Sequence, residues 1–264
     1  MNAGVYVWFR GIVIAALCAG VTAGLVVGAI HVVAVTPIII QAEHYTETTG
    51  TETTGTETTG TETTGTETTG TETAGTETAG HSHAAIEPPA PSALKRDALT
   101  LLAASLAGIA CALLLCAGLV LRGGRISFAT GLAWGLGGFA AFSLAPSLGL
   151  PPDLPGVQAA ALPARQIWWL ATVLATSGGL ALLAFGYRLS LALTGLALIV
   201  MPHLLGAPQP PAHTAVMPES LIRNFTMASL GSNLAFWLVL GLACVAGLRR
   251  FGTPSQADSL RATS

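Results

Sequence analysis

The chain has 264 residues, of which 52% are hydrophobic and only 9% charged, with a formal net charge of −2. Soluble domains average about 25% charged residues, so this composition excludes an ordinary soluble globule. The small net charge gives no reason to expect nucleic acid or an acidic surface as a partner.

Six stretches, approximately 11–36, 98–121, 126–146, 167–187, 189–205 and 225–248, approach the roughly 20 apolar residues that cross a bilayer. They predict an all-α, polytopic membrane helix bundle. The fourth and fifth run almost continuously from Ile167 to Leu205, which is too long for one crossing, so a turn is expected at Gly186-Tyr187-Arg188. Five spans is the alternative count. The first run is too long for a signal-peptide core, lacks a clear small-residue cleavage site, and reads as a retained helix. Cys18, Cys111, Cys116 and Cys244 all lie in apolar runs without a CxxC, and read as packing residues.

Within span 1, Ala16, Gly20, Gly24 and Gly28 recur every four residues, a small-residue stripe that permits close helix approach. His31 continues that face and should point into the bundle. An imidazole in a membrane is costly and marks a functional candidate, the alternative being a structural hydrogen bond to a neighbouring helix. The same stripe also leaves room for a homo-oligomer.

Glu43-His44 then leads into residues 46–80, which are seven pentads: TETTG five times and TETAG twice. This acidic, glycine-punctuated segment cannot bury enough apolar surface to fold alone and is expected to be a disordered loop. It reads as a solvated spacer, or as an electrostatic concentrator of cations. His81-Ser82-His83 closes it, and in an extended chain those two imidazoles face the same way and can share one metal. The predicted divisions are therefore 1–45 (first helix and loop entrance), 46–80 (repeat), 81–97 (His-containing linker), 98–250 (helical bundle) and 251–264 (tail).

Further along, residues 146–156 carry four prolines in eleven positions, expected to be too stiff for a helix. Trp168 and Trp169 beside Arg165 read as an interfacial anchor. His203 follows Pro202, whose missing N–H bends a helix and opens a polar pocket at membrane depth. His213 lies in the next loop. Ser229, Ser232 and Asn233 in span 6 either line the same vestibule or bond to adjacent helices.

Orientation follows from Lys and Arg. With the N-terminus inside, the cytoplasmic segments hold Arg10, Arg122, Arg125, Arg188, Arg249, Arg250 and Arg261, against Lys95, Arg96, Arg165 and Arg223 outside, which favours cytoplasmic N- and C-termini. On that topology the six histidines lie at or near the outer face, together with twelve of the thirteen acidic residues. Imidazole and carboxylate suit divalent transition metals. The predicted spans hold no Asp, Glu, Lys or Arg. No Walker A, HExxH, Ser-His-Asp or haem-attachment pattern occurs, so no enzyme activity and no tightly bound cofactor are expected.

Several ordered segments together resemble the CbtA family of proposed cobalt transporter subunits. They are Trp134-Gly135-Leu136-Gly137-Gly138-Phe139, Ala145-Pro146-Ser147-Leu148-Gly149-Leu150-Pro151-Pro152-Asp153-Leu154-Pro155-Gly156, Arg165-Gln166 with Trp168-Trp169, Pro202-His203-Leu204 with Gly206-Ala207-Pro208, and Ala228-Ser229-Leu230. The resemblance covers nearly all of the chain outside 46–80. It implies an inner-membrane protein, usually of five spans, that works with a small His-containing single-span partner of CbtB type and supplies cobalt for cobalamin synthesis. It carries His203 and Asp153 over as metal-capable residues in matching motifs, and Glu43 and His44 more loosely.

The expected function is therefore a transporter subunit importing a divalent transition metal, Co(II) by the resemblance. Its candidate ligands are His203, His31, His44, Glu43, His81, His83, His213 and Asp153. The alternative is a membrane-bound metal-binding or assembly protein that hands the ion to a partner without forming a pathway.

Overall fold

A computed structural model of the chain describes residues 3–55, 93–124, 126–157, 159–210 and 217–252. The described residues contain helices and no strands. In chain order these are α1 (Ala3–Ile30), α2 (Thr36–Gly55), α3 (Ala93–Arg122), α4 (Phe128–Phe139), α5 (Ala145–Ser147), α6 (Leu162–Phe185), α7 (Leu189–Leu205) and α8 (Glu219–Gly247). Three five-residue π-helical turns extend them: His31–Val35 joins α1 to α2, Ala140–Leu144 joins α4 to α5, and Leu248–Gly252 continues α8.

Five of the resulting rods are long and apolar enough to cross a membrane: Trp8–Tyr45, Ala93–Arg122, Phe128–Ser147, Leu162–Phe185 and Glu219–Gly252. The sixth, α7, has 17 residues, about 25 Å at 1.5 Å per residue, which is short of a full bilayer. The count of six helical elements holds, with the turn at Gly186–Arg188 as expected, but only five reach spanning length. Large apolar side chains cover the outside of the bundle, Leu106, Leu121, Leu174 and Leu196 among them, as a lipid-facing surface requires.

The π-turns have a shared sequence cause. Proline lacks an N–H and its ring clashes with the carbonyl four residues earlier. Pro37 and Pro146 each stand two residues beyond a π-turn, and there the backbone closes i→i−5 bonds instead: Thr36 N–H to His31 O and Ala145 N–H to Ala140 O. Widening the preceding turn lets the helix pass the proline instead of ending. Pro146 therefore sits within a continuous helical rod, contrary to the expectation that the whole of 146–156 is non-helical; regular structure stops after Ser147.

Likewise, α2 carries the helix through the first two pentads to Gly55, where a tether beginning at Thr46 was expected. Extending an existing helix avoids the cost of nucleating one. The remaining pentads lie outside the described residues, as do His81, His83 and His213.

Glycine sets how the rods pair. Gly20 and Gly108 meet backbone to backbone across α1 and α3, and Gly24 packs on Ser105, so the stripe of span 1 is consumed by α3 within the chain. It does not offer the route to a homo-oligomer that the sequence suggested. A methyl on Gly131 of α4 would lie 2.5 Å from the carbonyl oxygen of Gly241 in α8, and one on Gly195 of α7 would lie 2.7 Å from that of Gly179 in α6. In lipid, where apolar burial does not drive helices together, such close approach is what selects partners.

The main core forms where α1, α3 and α8 meet, with Ala15, Ala23, Leu119, Leu240 and Val245 essentially inaccessible. Cys116 and Cys244 are fully buried there and their thiols meet across α3 and α8, in keeping with packing roles. A smaller cluster of Val35, Ala42, Leu154, Met217, Leu221 and Phe225 closes the opposite end. Gly11 lies against Phe251, and Gly28 against Leu101. Arg10, Arg122, Arg188, Arg249 and Arg250 therefore share one end of the bundle, and His31, His44 and His203 belong to the other.

Candidate functional site

At the histidine end, the π-turn after α4, together with α5, α6, α8 and the proline-rich loop, lines an open cavity of about 600 Å³. Its walls are apolar from Phe142, Pro146, Leu150 and Trp169, with polar groups from Ser143, Ser147, Arg165, Gln166 and Asn233. The loop that forms its rim is held rigidly. Leu154 is 3% exposed inside the smaller apolar cluster, and Leu150 N–H bonds to Pro146 O at 2.8 Å. Loops pinned this way support preformed pockets.

Asp153 and Arg165 bridge this rim, with Arg165 Nη2 donating to Asp153 Oδ2 at 2.6 Å. The carboxylate that the sequence offers as a metal ligand is therefore engaged by a guanidinium, and the charge of Arg165 at the cavity mouth is neutralised.

Trp168 is not a plain interfacial anchor. A methyl on Gly149 would lie 2.5 Å from its indole and 2.9 Å from Ala207 Cβ, and the His203 ring stands edge-on to it at 5.9 Å. Two other quoted sequence segments thus converge on this indole. Trp169 instead lines the cavity and stacks edge-on to Phe142 at 6.1 Å.

On α8, Ser232 and Asn233 diverge. Asn233 lines the cavity and donates through Nδ2 to Ser229 O at 2.9 Å. Ser232 turns to α1, placing its Oγ 3.1 Å from His31 Nε2, while its hydroxyl donates to Ser229 O at 2.9 Å. A hydroxyl has one proton. With that proton on the Ser229 carbonyl, the imidazole donates from Nε2–H, and Nδ1 carries the lone pair that a metal cation needs. His31 is also the first residue of its π-turn, a widened turn of the kind that recurs at functional positions.

The candidate residues are therefore not gathered in one place. His31 belongs to the α1–α8 contact, whereas His203 rides on α7, which packs chiefly on α6. Glu43 and His44 are exposed on α2, one helix turn beyond Ile40. Among the described residues, no group of three or more His, Cys, Asp or Glu is assembled for a metal ion. Ser143 and Ser147 were not among the predicted site residues. A hydroxyl in an otherwise apolar span was the available signal for Ser143.

Long apolar rods packed through glycine, with a mainly apolar cavity at one end that carries a few polar groups, define a polytopic helical membrane protein. The model of the family described as probable cobalt transporter subunit (CbtA) matches residues 9–249, and the chain belongs to that family. Comparison with curated proteins gives no match, and neither does comparison with solved structures.

Proposed function

We propose that the chain is the membrane-embedded subunit of an importer of Co(II), which supplies cobalamin synthesis and works with a small His-containing single-span protein of CbtB type. The family match over residues 9–249 is the observation that carries this reading. It acts in the bacterial inner membrane with both termini in the cytoplasm, consistent with the arginine bias toward one end of the bundle.

In this reading the ion is collected by Glu43 and His44 at the end of span 1, with His81, His83 and His213 as further capture groups. It enters the cavity past the Asp153–Arg165 pair. Ser143, Ser147 and Asn233 replace part of its hydration shell with oxygen donors, and His31 Nδ1 supplies a nitrogen beyond them. His203 serves at the rim, where it packs on Trp168. Nitrogen and oxygen sites prefer Ni(II) and Cu(II) to Co(II) by intrinsic order, so selectivity rests on geometry and supply.

The test is uptake of radiolabelled Co(II) by cells lacking other cobalt importers, each chain expressed with and without its partner. The native chain is compared with His31→Ala, His203→Ala and a deletion of 46–80. Uptake lost in His31→Ala and retained in the deletion is the expected result. Metal that stays with the purified protein while the native chain gives no uptake identifies a metal-handing assembly protein instead.

A further inference from the structure

The cavity at the histidine end has a counterpart. Between α3, α4, α6 and α8 lies a second cavity of about 610 Å³, lined by Cys111, Leu114, Trp134, Ser177 and Phe185 among others, with Arg122 at its far mouth. From Cys111 to Arg122 it runs about 16 Å along α3 at 1.5 Å per residue, close to half of a hydrocarbon core of about 30 Å. The two cavities thus extend toward opposite ends of the bundle.

Phe142 lines both. Its ring lies 6.1 Å from that of Trp169, a wall of the first cavity, and 5.3 Å from that of Trp237, a wall of the second. Phe236 backs Trp237 at 5.5 Å. The partition is therefore aromatic. Phe142 also sits at the centre of the π-turn Ala140–Leu144, where the ladder departs from α-helical register before the helix resumes at Ala145–Ser147.

We propose that the two cavities are the halves of one cation route between α4, α6 and α8, and that the Phe142 side chain closes it. The proposal rests on the transporter reading above. An apolar constriction between two cavities blocks ions by excluding water and opens when the side chain moves aside. The π-turn allows that movement without breaking α4.

Cys111 is a native reporter on the far side of the partition. In a chain whose other cysteines are replaced by serine or alanine, reconstituted in liposomes, Cys111 is treated with a small, cationic, membrane-impermeant thiosulfonate applied from the histidine end. With Phe142 in place, labelling should be slow. Phe142→Ala should raise its rate at least tenfold, and Phe142→Leu, which keeps an apolar plug, by much less. Equal labelling of the native and Phe142→Ala proteins, both eluting as folded species, overturns the proposal. So does fast labelling of the native protein, which would mean that the cavities already join. If Phe142→Ala does not fold, Phe142→Leu and Phe142→Val decide by the same rates. Labelling needs no cobalt, so a working partition in a chain that takes up no cobalt defeats the transporter reading alone.

Discussion

His31 Nε2 and Ser232 Oγ lie 3.1 Å apart although 201 positions separate them in the chain. The contact ties the first span to the last beside Asn233, which lines the cavity at the histidine end. Interhelical hydrogen bonds in membranes average about 0.6 kcal/mol, so this one contributes little to stability. His31→Ala should therefore fold with a melting temperature within a few degrees of the native protein, while Co(II) uptake falls at least tenfold. Native-like uptake would remove His31 from the route.

His203 faces the indole of Trp168 edge-on, and a phenyl ring can hold that contact without offering nitrogen. Phe at this position separates the two roles of the imidazole. His203→Phe should retain stability, and its uptake should fall if the nitrogen meets the ion. Uptake retained in His203→Phe but lost in His203→Ala would make His203 a packing residue for the rim loop.

The Asp153–Arg165 pair is about one-third exposed on each side, which places its contribution near the 0.2–1 kcal/mol of surface ion pairs. A double-mutant cycle with Asp153→Asn and Arg165→Gln should give a coupling in that range from thermal unfolding. Uptake separates structure from ligation. If Asp153 serves only to neutralise Arg165, the double variant should recover what Asp153→Asn loses. A metal-binding Asp153 would leave the double variant impaired.

Gly195 and Gly179 hold α7 on α6 by backbone contact. Gly195→Val should push the pair apart and destabilise the protein by about 1–3 kcal/mol, the usual cost of overpacking. Because α7 packs chiefly on α6, the α1–α3–α8 core should survive, and protease sensitivity should rise in the 186–210 region first. Equal sensitivity across the whole chain would show that α7 is integral to the core.

Much of this protein can be read from residues in order. Span positions, the break at Gly186–Arg188, the arginine bias and the family motifs all depend on local hydropathy and spacing, which a bilayer turns directly into length and depth. The small-residue stripe of span 1 was also legible, but its partner was not. In lipid, apolar faces are energetically alike, so only close packing with α3 decided that Gly20 meets Gly108. The same limit hid the separation of His31 from His203, since helix rotation and neighbour choice, not depth, put one against Ser232 and the other against Trp168. Nothing in the order of residues marked Phe142, an ordinary aromatic in an apolar run. Its place between two cavities comes from three helices meeting around a turn that Pro146 has widened.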